Sequence, residues 1–416
     1  MKVLMLGWEL PPHYVGGMGV VCYSLCEHLA KSGADIEFIL PFEGDYSAID
    51  FMRVNSEQTS DPMITKISYQ DLDKVNATAY GKANISTEQA MKMDVLPLDK
   101  INGAFLNKIA RTVLLGEFDI IHAHDWLTLR GAMLAKRLTN LPLVVHIHAT
   151  EFDRSGSGEH EYGNEMIHQI EYEGMMIADK VIAVSQWTKD IIIRRYGIPA
   201  DKIEVVHNSI DLNSPYIRSH DDSDNSYEYL ESMKSRGYGI VINVGRQSIQ
   251  KGLPNMLEAA KLALKKNPKL LFVFGGSGDM HEELIELAAT MGISKNVIFT
   301  GFVSGKKLRD LFKVADLFVM PSVSEPFGST PLESIGLGTP VLISHQSGVS
   351  EIIDTALKVD FWDTNSIADK IVAVTSNPAL RKEMVLKGHE EFNNYSWVHS
   401  AQKTLHTYNS VKTAFA

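Results

Sequence analysis

The chain has 416 residues, more than one hydrophobic core normally serves, so its length predicts two or three domains. Hydrophobic residues make up 44% and charged residues 22%, the balance of a folded globular protein, which excludes disorder of the whole chain. The formal net charge of −11 excludes a nucleic-acid partner attracted by an overall positive field, and no apolar run is long enough to span a bilayer.

The amino terminus predicts a buried first strand. The stretch MKVLMLGWELPP holds one lysine, a short apolar run and two prolines, and it lacks the longer apolar region and cleavage site of a signal peptide. The two cysteines, Cys22 and Cys26, lie four residues apart in a helix-like segment. This spacing favours two buried reduced thiols over a metal or redox pair, and reduced thiols indicate a cytoplasmic protein.

Short apolar, β-branched runs alternate with segments of helical periodicity along the chain, and each run predicts a strand. The runs are continuously apolar, so we expect parallel strands covered on both faces, in an α/β doubly wound architecture. In chain order the predicted strands are KVLMLGW, DIEFILPF, FDIIHAHD, LPLVVHIHA, KVIAVS, IEVVHNSI, GIVINVGR, KLLFVFGG, NVIFTGFV, LFVMPS and PVLIS.

Two segments interrupt this alternation. Residues 46–100 are polar and mixed, and we interpret them as an insertion. Residues 213–237 include the acidic stretch HDDSDNSYEYLESMKSRG, which suits a linker or exposed loop better than a calcium loop, because the glycine and final glutamate of an EF-hand are missing. The last segment, Trp397 to Val411, predicts a helix.

Three glycine-containing segments follow predicted strands. Gly16, Gly17 and Gly19 form either a tight turn or a loop whose N–H groups approach an anion, although the spacing is not GxGxxG. In GRQSIQKG, Arg246 and Lys251 are either solvated or able to hold a diphosphate. The GGSGD segment, which begins at Gly275, is either a turn or part of a ligand loop at a strand end.

The segment SEPFGSTPLE is more specific than any single residue in it. Gly328, Ser329 and Thr330 would open a helix whose unpaired N–H groups can face phosphate. Glu325 and Glu333 lie at either end of this stretch. A carboxylate there can accept hydroxyl hydrogen bonds from a sugar, and Glu333 alone could equally be a partner of the helix dipole.

Two His-X-His pairs, His122 with His124 and His146 with His148, stand at strand ends. Residues two apart in a strand share a face, which suggests metal ligands. The residues that follow, Asp125 and Thr150, do not complete a zinc spacing, so we favour core histidines and predict no metal site.

These segments occur along the chain in the order glycine loop, His-X-His pairs, GRQSIQKG, GGSGD and SEPFGSTPLE. In that order they resemble the GT-B retaining glycosyltransferases of the sucrose-synthase and glycogen-synthase type, family 4 or 5. The resemblance runs from GWELPPHYVGGMG to YSWVHSAQKTL. It implies two Rossmann-like domains facing across a cleft: residues 1–212 for the acceptor and 213–394 for the nucleotide-sugar donor, with a helix at 395–416 that crosses back to the first domain. It also implies transfer without a divalent metal or cofactor, the nucleotide sugar being a substrate.

The resemblance further implies a role for individual residues. Arg246 and Lys251 would neutralise the donor diphosphate, while Glu325 would contact the transferred sugar and Glu333 the ribose hydroxyls. His148 would lie beside the donor sugar. In the first domain, Asp125 would face the acceptor or sugar and Gly17 would approach the phosphates. The other expected donor-binding residues are Gly275, Val303, Ser304, Gly328, Ser329 and Thr330.

The function that follows is transfer of a hexosyl group, glucosyl first, from a nucleoside diphosphate sugar such as UDP-glucose or ADP-glucose to a carbohydrate acceptor, with an α-glucan as the first choice. The N-terminal loop departs from bacterial glycogen synthases, which carry a lysine directly before the paired glycines, where this chain has Val15. The alternatives are a family-4 transferase for a lipid or small-sugar acceptor, a GT-B sugar-nucleotide epimerase or hydrolase, and a non-catalytic binding module.

Overall fold

The fold is taken from a computed structural model, which describes residues 1–14, 16–56, 98–156, 163–212, 227–303 and 305–415. The chain divides into two compact units. The first consists of Met1–Glu151, Tyr162–Asn208 and Trp397–Ala416, and the second of Phe152–Glu161 and Ser209–Ser396. The sequence-based division placed one boundary at 212/213 and returned residues 395–416 to the first domain. The structural division begins the main segment of the second unit at Ser209 and also assigns the short segment Phe152–Glu161 to that unit.

The first unit is built on a seven-stranded parallel sheet with the strand order β3-β2-β1-β4-β5-β6-β7. Its central strands are buried on both faces, which explains their continuously apolar sequences. The strands are β1 Lys2–Leu6, β2 Asp35–Ile39, β3 Arg53–Asn55, β4 Ile120–His124, β5 Leu143–Ile147, β6 Lys180–Ala183 and β7 Ile203–Val205.

Helices cover both faces of this sheet. Helices α2, α3 and α5 contribute to the core on one face. Helix α1 and the last helix, α14, pack against each other, and residues of both enter the core on the other face. The helices of the first unit are α1 Gly17–Lys31, α2 Leu98–Leu115, α3 Trp126–Thr139, α4 Glu151–Arg154 (shared with the second unit), α5 Glu165–Ile177, α6 Gln186–Tyr196 and α14 Trp397–Phe415.

The second unit repeats this plan with a six-stranded parallel sheet of order β10-β9-β8-β11-β12-β13. Its strands are β8 Gly239–Val244, β9 Leu270–Gly275, β10 Val297–Gly301, β11 Leu317–Met320, β12 Val341–Ser344 and β13 Leu357–Val359. Its helices are α7 Glu228–Ser235, α8 Leu253–Lys266, α9 His281–Thr290, α10 Gly305–Val314, α11 Thr330–Gly336, α12 Thr364–Ser376 and α13 Pro378–Phe392.

The prediction of two α/β units with parallel sheets is confirmed. Two edge strands were missed, β3 and β13, which have three residues each and no apolar run. Of the segment interpreted as an insertion, residues 57–97 lie outside the described residues, as do 213–226 of the expected linker. The rest of that expected linker is not all loop, because it contains helix α7, which buries Leu230 and Met233. None of the described helices combines the length and the apolar character that a bilayer-spanning segment needs.

In both sheets the chain reverses its direction of propagation beside the first strand. Strand β1 lies between β2 and β4, and β8 lies between β9 and β11. Open α/β sheets bind ligands at the carboxyl ends of the strands at such a switch point. The fold therefore indicates two places to look for chemistry: the ends of β1, β4 and β5 in the first unit, and the ends of β8 and β11 in the second.

Candidate functional site

The glycine loop after β1 is organised by a carboxylate that sequence reasoning did not single out. Glu9 is 4% exposed, and its Oε1 accepts hydrogen bonds from the backbone N–H groups of Gly16 and Gly19, each at 3.2 Å. Gly17 begins α1 and is exposed, and a Cβ added there would meet nothing within 4 Å. The backbone at Gly17 is therefore open to a ligand, while Glu9 holds the loop on either side of it. Val15 lies outside the described residues.

The two His-X-His pairs form a single cluster, which we call the histidine ladder: His122, His124, His146 and His148. Strands β4 and β5 are paired with His124 opposite His146, so the four side chains project from one face. Their rings stack, with centroids 4.4 Å apart for His122 and His124 and 4.3 Å apart for His146 and His148. The first three members are at most 1% exposed, and His148 is partly buried at the carboxyl end.

Hydrogen bonds fix the proton positions in the outer half of the ladder. His124 Nε2 lies 3.1 Å from the thioether sulfur of Met5, which can only accept. Nε2 of His124 therefore carries the hydrogen and its Nδ1 is the acceptor. His148 Nε2 lies 2.9 Å from that Nδ1, so His148 donates there and keeps Nδ1 as its own acceptor. At the inner end, His122 Nδ1 bonds the hydroxyl of Tyr408 on α14 at 2.5 Å.

The ladder is uncharged at neutral pH. Burial lowers the pKa of His122 to about 3, and it lowers the pKa values of His124 and His146 well below their usual range. Burial also lowers the pKa of His148, against an opposing effect of the Asp125 carboxylate. His148 therefore acts as a neutral hydrogen-bonding group.

Asp125, directly after β4, is bound to the backbone of the segment that carries His148. Its Oδ1 accepts from the N–H of His148 at 2.6 Å and from that of Ala149 at 3.4 Å, and the residue is 4% exposed. Its backbone has φ 55° and ψ 173°, a region that residues with a Cβ rarely adopt. The structure thus holds Asp125 in a strained conformation in which its carboxylate fixes the position of His148.

In the second unit, the segments after β8 and β11 come together through an ion pair. Lys251 Nζ lies 2.5 Å from Glu325 Oε2, and the two side chains are 22% and 9% exposed. The same oxygen accepts from the hydroxyl of Ser322 at 3.1 Å. Arg246, from the same segment as Lys251, is exposed at the end of β8. Two motifs that are 74 residues apart in sequence thereby form one charged site.

Glycines let the backbones of these segments pack directly against one another, because a side chain at these positions would collide with a neighbouring carbonyl oxygen. Gly252 has φ +62°, and a Cβ there would lie 2.0 Å from the carbonyl oxygen of Pro321. A Cβ at Gly276 or Gly278 would lie 2.0 or 2.2 Å from carbonyl oxygens of the GRQSIQKG segment. Packing therefore requires the glycines of GGSGD, irrespective of any ligand. Gly275 ends β9, and a Cβ there would lie 3.0 Å from the side chain of Val303, which is 8% exposed. Ser304 lies outside the described residues.

The SEPFGSTPLE segment leads into the seven-residue helix α11. Gly328 has φ +89°, and a Cβ there would lie 3.0 Å from Cγ of Glu325, so this turn also requires glycine. Ser329 is the N-cap residue and Thr330 is the first residue of α11. Glu333 lies in the first turn, is partly buried, and has a pKa that burial raises to about 7. Both its protonated and its ionised forms are therefore populated near neutrality.

A second residue that sequence reasoning missed supports the Glu325 segment. Asp153, in α4, bonds the hydroxyl of Ser324 through Oδ1 at 2.5 Å, and both residues are fully buried. Gly156 contacts Ile249, since a Cβ there would lie 2.9 Å from the Ile249 side chain. Asp153 and Gly156 thus contact the two segments that form the charged site, in agreement with the assignment of Phe152–Glu161 to the second unit. No local sequence pattern signals either contact.

Comparison with known proteins follows this division of the chain. Residues 15–214 match the model of the family described as Glycosyltransferase Family 4, and residues 231–391 match Glycosyl transferases group 1. An uncharacterised glycosyltransferase of Methanocaldococcus jannaschii is 30% identical over 421 residues, which cover 98% of each chain. A glycogen synthase of Mycobacterium tuberculosis is 24% identical, with 99% of this chain and 95% of the relative covered.

Solved structures show the same fold. The Anabaena protein HepE, in a crystal structure with UDP-glucose, superposes with a TM-score of 0.71 over 99% of this chain and 100% of that one, at 18% sequence identity. At this level of identity the likeness establishes the fold alone. Two Rossmann-like units of parallel sheet with this match constitute the GT-B fold, as the sequence predicted.

Proposed function

The chain belongs to family 4 of the glycosyltransferases, retaining enzymes that use nucleotide sugars, and we propose that it transfers a glucosyl group from a nucleoside diphosphate glucose to a hydroxyl of an α-glucan. The observation that carries this proposal is the contact between Lys251 Nζ and Glu325 Oε2 at 2.5 Å. It places a cation suited to a diphosphate beside a carboxylate suited to sugar hydroxyls, at the switch point of a parallel sheet.

We assign the donor to the second unit. Arg246 and Lys251 bind the diphosphate and offset the charge that grows on it as it leaves. Glu325 accepts hydrogen bonds from the transferred sugar, and Glu333, in its ionised form, accepts them from the ribose. The smaller residues assigned to the donor in this unit are Gly275, Val303, Ser304, Gly328, Ser329 and Thr330.

We assign the acceptor to the first unit. The Nδ1 atom of the neutral His148 accepts a hydrogen bond from a sugar hydroxyl. Asp125 acts on the reaction by fixing the position of His148. Gly17 offers an open backbone for the approach of a phosphate group. In this assignment no residue of the chain forms a covalent bond to the sugar, and no metal or cofactor takes part.

The chemistry is a displacement on one face of the sugar. The bond from the anomeric carbon to the diphosphate oxygen breaks, and the bond to the acceptor oxygen forms on the same face, which retains the configuration. The acceptor hydroxyl gives its proton to the departing diphosphate. Because the reaction needs no protein base, the part left to the chain is to hold the reactants and stabilise negative charge.

Two of the similar proteins support the choice of substrates. The α-glucan acceptor is supported by the glycogen synthase that aligns along almost the whole chain, and the UDP-glucose donor by the structure of HepE with that molecule. We also propose a cytoplasmic location, which is supported by the two buried, unpaired thiols of Cys22 and Cys26.

The test is to incubate the purified chain with UDP-glucose or ADP-glucose, with and without glycogen, and to follow nucleotide release and the product by chromatography. Nucleotide release that depends on glycogen, with glucose added to the glucan, is the expected result. Release that depends on a small sugar or a lipid instead would overturn the acceptor and keep the transferase. An isomerised donor would replace the transferase by an epimerase, and donor binding without turnover would replace it by a binding protein.

A further inference from the structure

The histidine ladder has a neighbour that its own sequence motifs do not contain. Cys22, in the second turn of α1, is 1% exposed and packs over the outer end of the ladder. Its Sγ, one ring nitrogen of His124 and one of His148 all lie within 4.8 Å of one another. HAHD and HIHAT do not by themselves supply a recognised set of metal ligands. Helix α1 supplies a third ligand, Cys22, from about a hundred residues earlier in the chain.

The donor set selects a class of metal ion. One thiolate and two imidazoles suit zinc or the softer cadmium, whereas magnesium and calcium prefer oxygen ligands. Tetrahedral zinc with these ligands needs donor atoms roughly 3.3–3.6 Å apart. The two histidine nitrogens are already 2.9 Å apart, and small side-chain rotations would bring the sulfur into range. Three protein ligands leave a fourth position for water, as in open zinc sites.

A second group of three, His122, His124 and His146, meets the same distance criterion. Ring orientation does not separate the two groups, since the rings of His124 and His148 are 23° from parallel and those of His122 and His124 are 24° from parallel. The groups differ in access: His122, His124 and His146 are fully buried, whereas His148 is partly exposed and gives an ion a path to the site.

Nitrogens without partners show that the ladder is not satisfied by the protein alone. Both ring nitrogens of His146 and Nε2 of His122 are buried and have no hydrogen-bond partner in the described parts of the chain. Buried polar atoms are normally paired, and the exceptions point to a ligand or water that joins the network. The ladder therefore has spare hydrogen-bonding capacity directly behind the three proposed ligands.

We propose that Cys22, His124 and His148 form a binding site for a zinc ion, and that zinc bound there inhibits the transferase by occupying Nε2 of His148. The second part rests on the function proposed above; the first does not. Binding replaces the thiol proton of Cys22, which is released to solvent, and His148 moves its proton from Nε2 to Nδ1. This removes the acceptor that His148 would offer to a sugar, so the metal and the sugar contact exclude each other.

Cobalt(II) is the probe for the binding step, because a thiolate ligand gives it a strong near-ultraviolet absorption and a tetrahedral site gives it intense visible bands. The untagged full-length chain is titrated in three forms: wild type, Cys22→Ala and Cys26→Ala. Cys26 lies one turn further along α1, is equally buried, and is not in the group, so it controls for the loss of a buried sulfur. We expect one cobalt per chain with the thiolate band in wild type and Cys26→Ala, and no such band in Cys22→Ala.

Zinc inhibition of glucosyl transfer is measured on the same three proteins. We expect the inhibitory concentration to rise at least tenfold in Cys22→Ala and to stay unchanged in Cys26→Ala, with a chelator restoring activity. A thiolate band that survives in Cys22→Ala overturns the site. Cobalt binding without inhibition of an active enzyme overturns the inhibitory role alone. If the chain transfers no sugar, the cobalt spectra still decide the site, so the two proposals fail separately.

Discussion

The carboxyl ends of the two sheets occupy the same place in the same topology and are built from opposite chemistry. In the first unit this edge carries the histidine ladder, whose rings burial keeps uncharged. In the second unit it carries Arg246 and the ion pair of Lys251 with Glu325. A repeated α/β plan fixes where a ligand binds, and the loop residues decide whether the edge meets it with charge or with neutral hydrogen bonds.

The two edges also differ in how their side chains are held. The ion pair sits on segments that glycines bring to backbone contact, so its partners are fixed by packing of the main chain. The ladder is fixed by strand pairing and by side-chain hydrogen bonds to Met5, Asp125 and Tyr408. Substitutions at the charged edge of the second unit should therefore lower turnover most. At the neutral edge, which carries the histidine ladder, some substitutions should misplace His148 and others should lower the stability of the first unit.

The largest expected effect is that of Lys251→Ala at the charged edge. Loss of a cation that stabilises the leaving group should lower kcat by about 100- to 1,000-fold, and it leaves the Glu325 carboxylate without this partner. Steady-state release of nucleotide, with thermal unfolding of the same protein, measures it. Lys265→Ala, an exposed lysine at the end of α8, is the control and should retain wild-type activity. Near-normal turnover of folded Lys251→Ala would remove the charged edge from the mechanism.

Glu333→Gln separates function from stability within the same edge. Burial raises the pKa of Glu333 from 4.5 to about 7, so its stabilising contribution is complete below pH 4.5 and is lost as the pH rises through 7. At pH 8 the variant should be more stable than wild type by about 2–3 kcal/mol, and it should bind the donor about tenfold more weakly. Chemical unfolding at pH 5 and pH 8 measures the first effect, and donor KM the second.

Glu283→Gln, an exposed glutamate on α9, is the control for both measurements. In wild type, donor KM should rise as the pH falls below 7, because the protonated carboxyl cannot accept two ribose hydroxyls. The difference in unfolding free energy between Glu333→Gln and wild type should grow from pH 5 to pH 8. If it does not, ionisation of Glu333 is not what lowers the stability of the wild-type protein at high pH.

Substitutions of Asp125 test whether the neutral edge contributes to turnover by holding His148 in position. Asp125→Ala should lower kcat by about 10- to 50-fold, since His148 loses the bond that fixes its backbone. Asp125→Asn keeps an oxygen that can accept the same N–H, so it should recover most of the activity. Kinetics of both variants at saturating donor measure the difference. If Asn is as damaging as Ala, the negative charge of Asp125 itself meets the substrate, and the contrast between the two edges weakens.

The smallest effect belongs to the inner end of the ladder. Tyr408→Phe removes the hydroxyl that bonds His122, deep in the first unit, and should lower the free energy of unfolding by about 1–2 kcal/mol with kcat unchanged. Urea unfolding and the transfer assay measure the two quantities. A large loss of kcat without a loss of stability would mean that the whole ladder, and not only His148, takes part in the reaction.

The sequence predicts the architecture because buried parallel strands are long apolar runs, as in KVLML and LVVHI. It fails where strands are short and lie at or near a sheet edge: RVN and LKV each carry a charged residue in three positions. The family resemblance assigns Lys251 and Glu325 to one donor site, and in the structure their side chains are in contact; their roles toward a donor stay a prediction.

Contacts between segments that are distant in the chain could not be predicted from the sequence. The glycines of GGSGD suggested a ligand loop, yet Gly276 and Gly278 are required by carbonyl oxygens some thirty residues earlier. Cys22 was expected to be a buried thiol, and it is one, but its place beside His124 and His148 depends on how α1 crosses the sheet. Asp153 and Glu9 are not among the residues that the sequence motifs single out, and only folding gives their carboxylates partners.

The assignment of Phe152–Glu161 to the second unit governs how the protein can be cut for study. A fragment of residues 213–394 would lack Asp153 and leave the buried Ser324 hydroxyl without that acceptor, directly before Glu325. A fragment of residues 1–212 would lack Tyr408 and uncover the ladder at His122. Each unit includes a segment from elsewhere in the chain, so a genetic split intended to separate the two units must give each unit its distant segment, joined by a new linker.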